Sequence, residues 1–177
     1  MNYAVDNNIL LEIIKKGEVN EVRQLIKNGA DVNAVSVNSA TITGSTALTE
    51  AVMSGNLEIV SLLLDAGADP NKTTKLRKSA LNIAAIAGFT KIAEKLIEAG
   101  ADINFRDQYG FTPLMRAAYY GCTDIVKMLV KAGADLDVRT SKGHLKADGM
   151  SALDWAIYRG NSEIAQILEE ASNLPQS

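Results

Sequence analysis

Residues 110–135 read GFTPLMRAAYYGCTDIVKMLVKAGAD, and much of the chain repeats this stretch with variations. The closing Gly-Ala-Asp occurs four times, and another glycine stands twelve residues before each closing glycine. The steps between leading glycines are 38, 33, 33 and 39 residues when a fifth copy without the closing motif is included. A period near 33 residues built on helix pairs is typical of a stacked repeat array. The leading glycines are Gly17, Gly55, Gly88, Gly121 and Gly160, and the closing ones are Gly29, Gly67, Gly100 and Gly133.

Each copy predicts a helix, a turn and a second helix. A Ser or Thr opens each first helix of copies two to five, where its hydroxyl can accept a free backbone N–H. Apolar residues follow at helical spacing in the second helices and give each of them one apolar face. One such pair cannot bury this face alone, so neighbouring pairs must stack and share a core. The predicted N-caps are Thr46, Ser79, Thr112 and Ser151.

This pattern resembles the ankyrin repeat nearly position by position. Thr112-Pro113-Leu114 matches the Thr-Pro-Leu of that family, and the other copies have Ala in place of Pro. The usual His that follows is replaced in each copy. The resemblance covers about residues 7–171 and implies an all-α repeat solenoid of five stacked helix-turn-helix units with β-hairpin fingers. Thr49, Asn82, Met115 and Asp154 stand at the position of the usual His.

Two connections between units are longer than the others. Five extra residues lie between Asn33 and Thr46, and six lie between Asp137 and Ser151, so we expect two lengthened fingers. In the first, 35–37 and 41–43 predict a strand pair, and in the second Lys142-Gly143 predicts a turn. We expect a single domain over residues 1–177, with an N-terminal cap unit 7–33, internal repeats 34–71, 72–104 and 105–137, a C-terminal cap unit 138–171 and a tail 172–177.

A glycine stands two residues before the N-cap in three of the four units, where the family uses a positive φ. These glycines are Gly44, Gly110 and Gly149, and Arg77 takes the same place in the third unit. We therefore expect the finger of the third unit to bend differently or to carry local strain.

Composition and charge exclude several classes of protein. The net charge of −3 disfavours nucleic acid, and no apolar run is long enough to span a membrane. A single Cys and a single His exclude an internal disulfide and the usual zinc sites. The sequence has no phosphate-binding loop and no nucleophile elbow, and His144 lies away from Cys122 in the repeat map. We expect a monomeric, non-catalytic protein without a cofactor in the cytoplasm, with a secreted effector as the alternative location.

The aromatic residues converge on one part of the predicted surface. The resemblance implies that partners meet the finger tips and the face formed by the first helices. Tyr119 and Tyr158 occupy the same position one unit apart, and their rings could flank one inserted side chain. The alternative is that Trp155 and one Tyr pack between neighbouring helices. Glu50 and Arg116 stand at the same repeat position as Trp155. Their charges predict that this position is partly solvated. The predicted contacts are Arg116, Tyr119, Tyr120, Trp155, Tyr158 and Arg159, flanked by Tyr109 and Phe111.

Basic residues cluster in the finger of the third unit. Lys72, Lys75, Arg77 and Lys78 lie in a stretch without an acidic residue. This cluster predicts an acidic segment in the partner, contacted by Lys75 and Lys78. The alternative is an ordinary group of solvated side chains.

The predicted function is protein–protein recognition by a scaffold, adaptor or inhibitor. A narrower alternative is an immunity-type inhibitor of a specific enzyme or toxin. The resemblance also implies a different alternative, a substrate of an asparaginyl hydroxylase, with modification at Asn33, Asn71 and Asn104.

Overall fold

A computed structural model describes residues 7–35, 44–141 and 149–173 of the chain. Within these residues the chain forms ten α-helices arranged as five consecutive pairs, as the repeat pattern predicts. The helices are α1 Asn7–Lys16, α2 Val19–Lys27, α3 Ala47–Met53, α4 Leu57–Asp65, α5 Ala80–Ala87, α6 Thr90–Glu98, α7 Pro113–Tyr120, α8 Thr123–Lys131, α9 Ala152–Arg159 and α10 Ser162–Ser172.

The helices lie in two rows. Helices α1, α3, α5, α7 and α9 pack in sequence, each against the next, and α2, α4, α6, α8 and α10 form a parallel succession behind them. Each pair contacts the pair before it and the pair after it, which is the one-dimensional stacking of a repeat array. The all-α solenoid predicted from the sequence is therefore confirmed.

The core follows the repeat positions. The isoleucine four residues after a leading glycine and the leucine eight residues after it are buried in the last four pairs. Both positions lie on the apolar face of the second helix, which packs against its own first helix and its neighbours. These side chains are Ile59, Ile92, Ile125 and Ile164, followed by Leu63, Leu96, Leu129 and Leu168.

The predicted N-caps are confirmed. The hydroxyls of Thr46, Ser79, Thr112 and Ser151 each accept the backbone N–H three residues later. Most residues that replace the usual His strengthen this cap. Thr49 and Asp154 complete capping boxes with Thr46 and Ser151. The Ser79 hydroxyl donates to Asn82 Oδ1 at 2.7 Å.

Asparagine side chains connect consecutive units. Asn33 Oδ1 accepts the N–H of Asp69 at 2.8 Å, and Asn33 Nδ2 donates to the carbonyl of Gly67 at 3.2 Å. Asn71 makes the same two bonds to Asp102 and Gly100. Asn104 Oδ1 likewise accepts the N–H of Asp135. We call this series the asparagine ladder, because each amide reaches from the end of one unit to the closing loop of the next.

The connections do not form the expected β-hairpins within the described residues. The described residues show only one isolated bridge, between Val35 and Thr46. In the finger of the third unit the N–H of Thr74 donates to the carbonyl of Lys78 at 3.1 Å, which closes a tight turn instead. The strand pair predicted in 35–37 and 41–43 and the turn predicted at Lys142-Gly143 lie largely or wholly outside the described residues.

The expected strain in the third finger is confirmed at Arg77. This residue has a φ of +51°, in the left-handed region, and it is the one non-glycine residue with positive φ in the part of the chain that the structure describes. The equivalent Gly110 has a φ of +78°. Arg77 therefore adopts the bend that the family normally builds with glycine, rather than a different bend.

The last pair leaves part of its helix face uncovered. Val52, Ala85 and Ala118 stand three residues before their leading glycines and are fully buried, with the next first helix packed alongside. Ile157 occupies the same position in α9 and is 60% exposed, because no described helix follows that pair.

Candidate partner-binding surface

Five of the aromatic side chains predicted on the surface form one contiguous group on α7, α9 and the finger before α7. Trp155 lies at its centre, with its ring centroid 5.0 Å from that of Phe111, 5.3 Å from that of Tyr119 and 5.7 Å from that of Tyr158. Tyr119 also contacts Tyr120 edge to face at 5.0 Å. We call these five residues the aromatic cluster. The fourth and fifth helix pairs, which contain α7 and α9, therefore bring these aromatic residues into contact with one another.

Two residues of the aromatic cluster lie beneath the surface. Trp155 is 2% exposed and Phe111 is 3% exposed, so their burial places them in the core between the last two pairs. Trp155 contacts both Tyr119 and Tyr158 edge to face, so the two tyrosines predicted to flank a partner side chain share one buried neighbour. The exposed members are Tyr120 at 48% and Tyr158 at 66%, with Tyr119 half-buried.

Arg116 is held inside the protein by an ion pair. Its Nε donates to Asp107 Oδ2 at 3.0 Å, its terminal nitrogen also bonds this oxygen, and its guanidinium lies 4.0 Å from the Phe111 ring centroid. The other carboxylate oxygen, Asp107 Oδ1, accepts the N–H groups of Tyr109 and Phe111. The side chain of Arg116 is 12% exposed, so this position is partly solvated in α7 as expected, whereas Trp155 at the same position of α9 is 2% exposed.

Arg159 and Tyr109 extend the exposed part of this surface. The Arg159 guanidinium lies 4.6 Å from the Tyr119 ring centroid, and the residue is exposed. Tyr109 is exposed in the finger before α7, where its carbonyl accepts the N–H of Ser141. The exposed side chains of this surface are therefore Tyr109, Tyr120, Tyr158 and Arg159, around a half-buried Tyr119.

The finger between α4 and α5 presents the predicted basic residues. Lys75 and Arg77 are exposed and Lys78 is half-buried. Lys72 Nζ donates to the carbonyl of Asn33 at 2.8 Å and so belongs to the contact between units. None of the ion pairs among the described residues involves Lys75, Arg77 or Lys78. Their charges remain available to an acidic group.

An apolar pocket lies beside this finger, and the sequence analysis did not predict it. It has a volume of about 310 Å³ and opens between α3, α5 and the finger. Ile83 and Ile86 occupy the face positions of α5, where α3 has Glu50 and Met53 and α7 has Arg116 and Tyr119. The one signal of the pocket in the sequence was that both face positions are apolar in α5, while each neighbouring helix has a charged residue at one of them. The pocket is lined by Met53, Leu76, Lys78, Ile83, Ile86 and Phe89, among others.

The described residues provide little for catalysis. They contain no cluster of His, Cys, Asp or Glu that could hold a metal ion. Burial raises the pKa of the Cys122 thiol, which disfavours the reactive thiolate. His144 lies outside the described residues. No helix in the described ranges is long and apolar enough to cross a membrane.

Comparison with known families agrees with the geometry. A model described as ankyrin repeats (3 copies) matches residues 2–74 and 66–140, and a model described as ankyrin repeats (many copies) matches residues 114–169. The chain belongs to the ankyrin repeat family. Repeats of this family generally mediate protein–protein interaction.

Individual relatives share only part of their length with this ankyrin repeat chain. The 2-5A-dependent ribonuclease of Mus musculus is 41% identical over 70 residues, which are 40% of this chain and 9% of the ribonuclease. The Notch-regulated ankyrin repeat-containing protein A of Danio rerio is 41% identical over 61 residues, which are 34% of this chain and 54% of the relative. The human Notch-regulated ankyrin repeat-containing protein gives the same identity over 53% of its length. The matches thus cover at most about half of these three relatives.

Proposed function

We propose that this ankyrin repeat protein is a non-catalytic recognition module whose main contact surface is the exposed part of the aromatic cluster with Tyr109 and Arg159. The observation that carries the proposal is that Tyr158 is 66% exposed while its ring rests edge-on against the buried Trp155. Tyr, Trp and Arg are enriched among the residues that dominate binding energy. Because the buried ring of Trp155 restricts the exposed ring of Tyr158, Tyr158 offers contact area while little side-chain freedom is lost on binding.

The support beneath the surface has an energetic consequence. Ordering a free side chain at an interface costs about 0.5–1.5 kcal/mol. Tyr120 contacts Tyr119, Arg159 lies over Tyr119, and Tyr158 contacts Trp155. These contacts restrict the exposed side chains before a partner arrives, and part of the ordering cost is met during folding. Phe111, Trp155 and Arg116 contribute to binding by holding this surface in place rather than by touching the partner.

The fingers add a second component. Lys75 and Lys78 carry charges that no acid among the described residues neutralises. We propose that they attract an acidic segment of the partner, mainly by raising the association rate. The protein acts as a monomer in the cytoplasm in this proposal, and the single cysteine is compatible with a reducing compartment.

The remaining alternatives rest on the sequence. No described contact favours an inhibitor of an enzyme or toxin over another recognition role. The asparagine ladder weighs against modification in the folded state, because Asn33 and Asn71 each bond the next unit through both amide atoms. An intact mass of the protein from its host that includes an added oxygen would nevertheless establish hydroxylation.

The test begins with capture of the partner from the native host, identified by mass spectrometry. Affinity and thermal unfolding are then measured on Tyr158→Ala and on Ile9→Ala, which removes a similarly exposed apolar side chain from α1. We expect Tyr158→Ala to weaken binding by about 2 kcal/mol, roughly 30-fold, with little change in the melting temperature. Ile9→Ala should leave binding unchanged.

Two results would contradict this proposal. One is full affinity of Tyr158→Ala for a partner whose binding is otherwise specific. The other is a fall in the melting temperature of Tyr158→Ala that accounts for the whole loss of binding, because the ring would then serve only the fold.

A further inference from the structure

The apolar pocket between α3, α5 and the basic finger carries an inference about the partner's chemistry, which rests on the proposed recognition function. We infer that the pocket takes one large apolar side chain from a partner segment that is otherwise acidic. The pocket lies in the first half of the stack, apart from the aromatic cluster on α7 and α9.

The pocket's size limits what it can hold. Pockets for drug-sized ligands and cofactors measure about 300–1,000 Å³. A volume of about 310 Å³ in an open groove lies at the lower limit of that range. It suits one or two side chains, such as a leucine or phenylalanine with its neighbour, rather than a nucleotide or a cofactor.

The lining determines the chemistry of the anchor. Met53 is exposed, and Ile83 and Ile86 lie beside it with Leu76 from the finger. At the same repeat positions the neighbouring helices place charged groups, Glu50 on α3 and Arg116 on α7, but these are paired with Lys15 and Asp107. Among the described residues that line the pocket, Lys78 is the one with a charged side chain, so an apolar side chain that enters displaces water from mainly apolar walls.

The rim determines the chemistry around the anchor. Lys78 lines the pocket, and Lys75 and Arg77 lie in the same finger. The Lys75 stem lies close to Gly44, where an added Cβ would come within 2.8 Å of Lys75 Cδ, and Gly44 precedes the pocket residue Ser45. Residues 71–80 contain no acidic residue to neutralise these three cations. Acidic partner residues on either side of the apolar anchor are therefore favoured, and basic ones are disfavoured.

The test uses three short synthetic peptides with a fluorescent label. The first has one leucine flanked on both sides by Asp and Glu, the second has alanine for that leucine, and the third has Lys and Arg flanks around the leucine. Binding to the full chain is followed by fluorescence anisotropy, and the contact site by amide shifts in ¹H–¹⁵N spectra. Lys78→Glu and Ile86→Ala probe the pocket, and Tyr158→Ala is the matched control in the aromatic cluster.

We expect the acidic leucine peptide to shift the amides of Met53, Leu76, Ile83 and Ile86. Loss of the leucine should weaken binding about tenfold or more, as burial of a large apolar side chain requires. Lys78→Glu should weaken it similarly, and added salt should weaken it further. Tyr158→Ala should bind the peptide as the parent does. If Ile86→Ala unfolds the chain, Lys78→Glu and the alanine peptide still decide the question.

The inference is overturned if the acidic leucine peptide leaves these amides unshifted, or if the basic peptide or the alanine peptide binds equally well. Such a result leaves the proposed function standing when the natural partner still depends on Tyr158. The converse result is that the peptide binds at the pocket while Tyr158→Ala leaves the affinity for the natural partner unchanged. That result would retain this inference and reject the aromatic cluster as the main contact surface.

Discussion

Replacement of Arg77 by glycine should stabilise the protein. Arg77 has a φ of +51° where the equivalent positions in other units have glycine, and its backbone N–H donates to the carbonyl of Thr74 at 2.9 Å. Glycine keeps this hydrogen bond and removes the clash of Cβ with the backbone. The left-handed conformation costs an L-residue roughly 1–2 kcal/mol. Glycine loses more chain entropy on folding than arginine does, and this loss reduces the stabilisation by roughly 0.5–1 kcal/mol.

The expected net stabilisation of Arg77→Gly is therefore about 0.5–1 kcal/mol. For a chain of this size it corresponds to a rise in melting temperature of about 1–4 °C. Thermal and urea unfolding followed by circular dichroism would measure it. Arg77→Gln is the matched control, since it removes the same charge and keeps the Cβ; we expect it to lie within about 0.5 kcal/mol of the parent.

The reasoning also predicts the reverse change at an equivalent position. Gly110 has a φ of +78°, and an added Cβ would lie 2.7 Å from the backbone nitrogen of Ser141. Gly110→Ala should therefore destabilise the chain by more than the roughly 1–2 kcal/mol of the backbone cost alone. The account of Arg77 is refuted if Arg77→Gly is no more stable than Arg77→Gln, because relief of the backbone strain should exceed the entropy cost of glycine.

Further predictions concern the core and the response to acid. Leu96→Ala should lower the free energy of unfolding by about 2–5 kcal/mol in urea titrations, because its side chain is fully buried; a midpoint equal to the parent's would contradict this placement. Val52→Ala should cost clearly more than Ile157→Ala, since the same repeat position is fully buried in one and 60% exposed in the other. The N–H of Ser151 holds the pKa of Asp154 below its ordinary value of 3.8. This group adds stability above that value and loses it as pH falls through the lower folded pKa. Asp154→Asn should accordingly flatten the acid side of the stability curve, and an unchanged curve would count against the cap.

The fold was predictable because its signals are local and recur. Thr112 caps a helix, Gly133 follows the end of the next one, and each acts within a few residues of itself. Repetition at a fixed spacing then identifies the stack, since a single helix pair cannot bury its apolar face. The strain at Arg77 could be predicted in the same way, from the glycine that other units have at its position.

The surface was less predictable because it depends on contacts between units. The sequence placed Trp155 and Tyr158 on one face but could not show that the first is buried and the second exposed. The pairing of Arg116 with Asp107 depends on how the finger folds back over α7. The apolar pocket was missed because an empty volume arises from what neighbouring side chains such as Ile86 leave unfilled.

The asparagine ladder affects how the chain can come apart. Asn33, Asn71 and Asn104 each bond forward to the closing loop of the next unit, so the first three of the four junctions carry this polar link in addition to apolar packing. A repeat array unfolds as one body only while its junctions are strong compared with its units. Loss of the middle link at Asn71 leaves every helix with its own hydrogen bonds and weakens one junction alone. Such a chain would be free to unfold as two shorter blocks. The cooperativity of unfolding would then change, while the helix content of the folded protein would not.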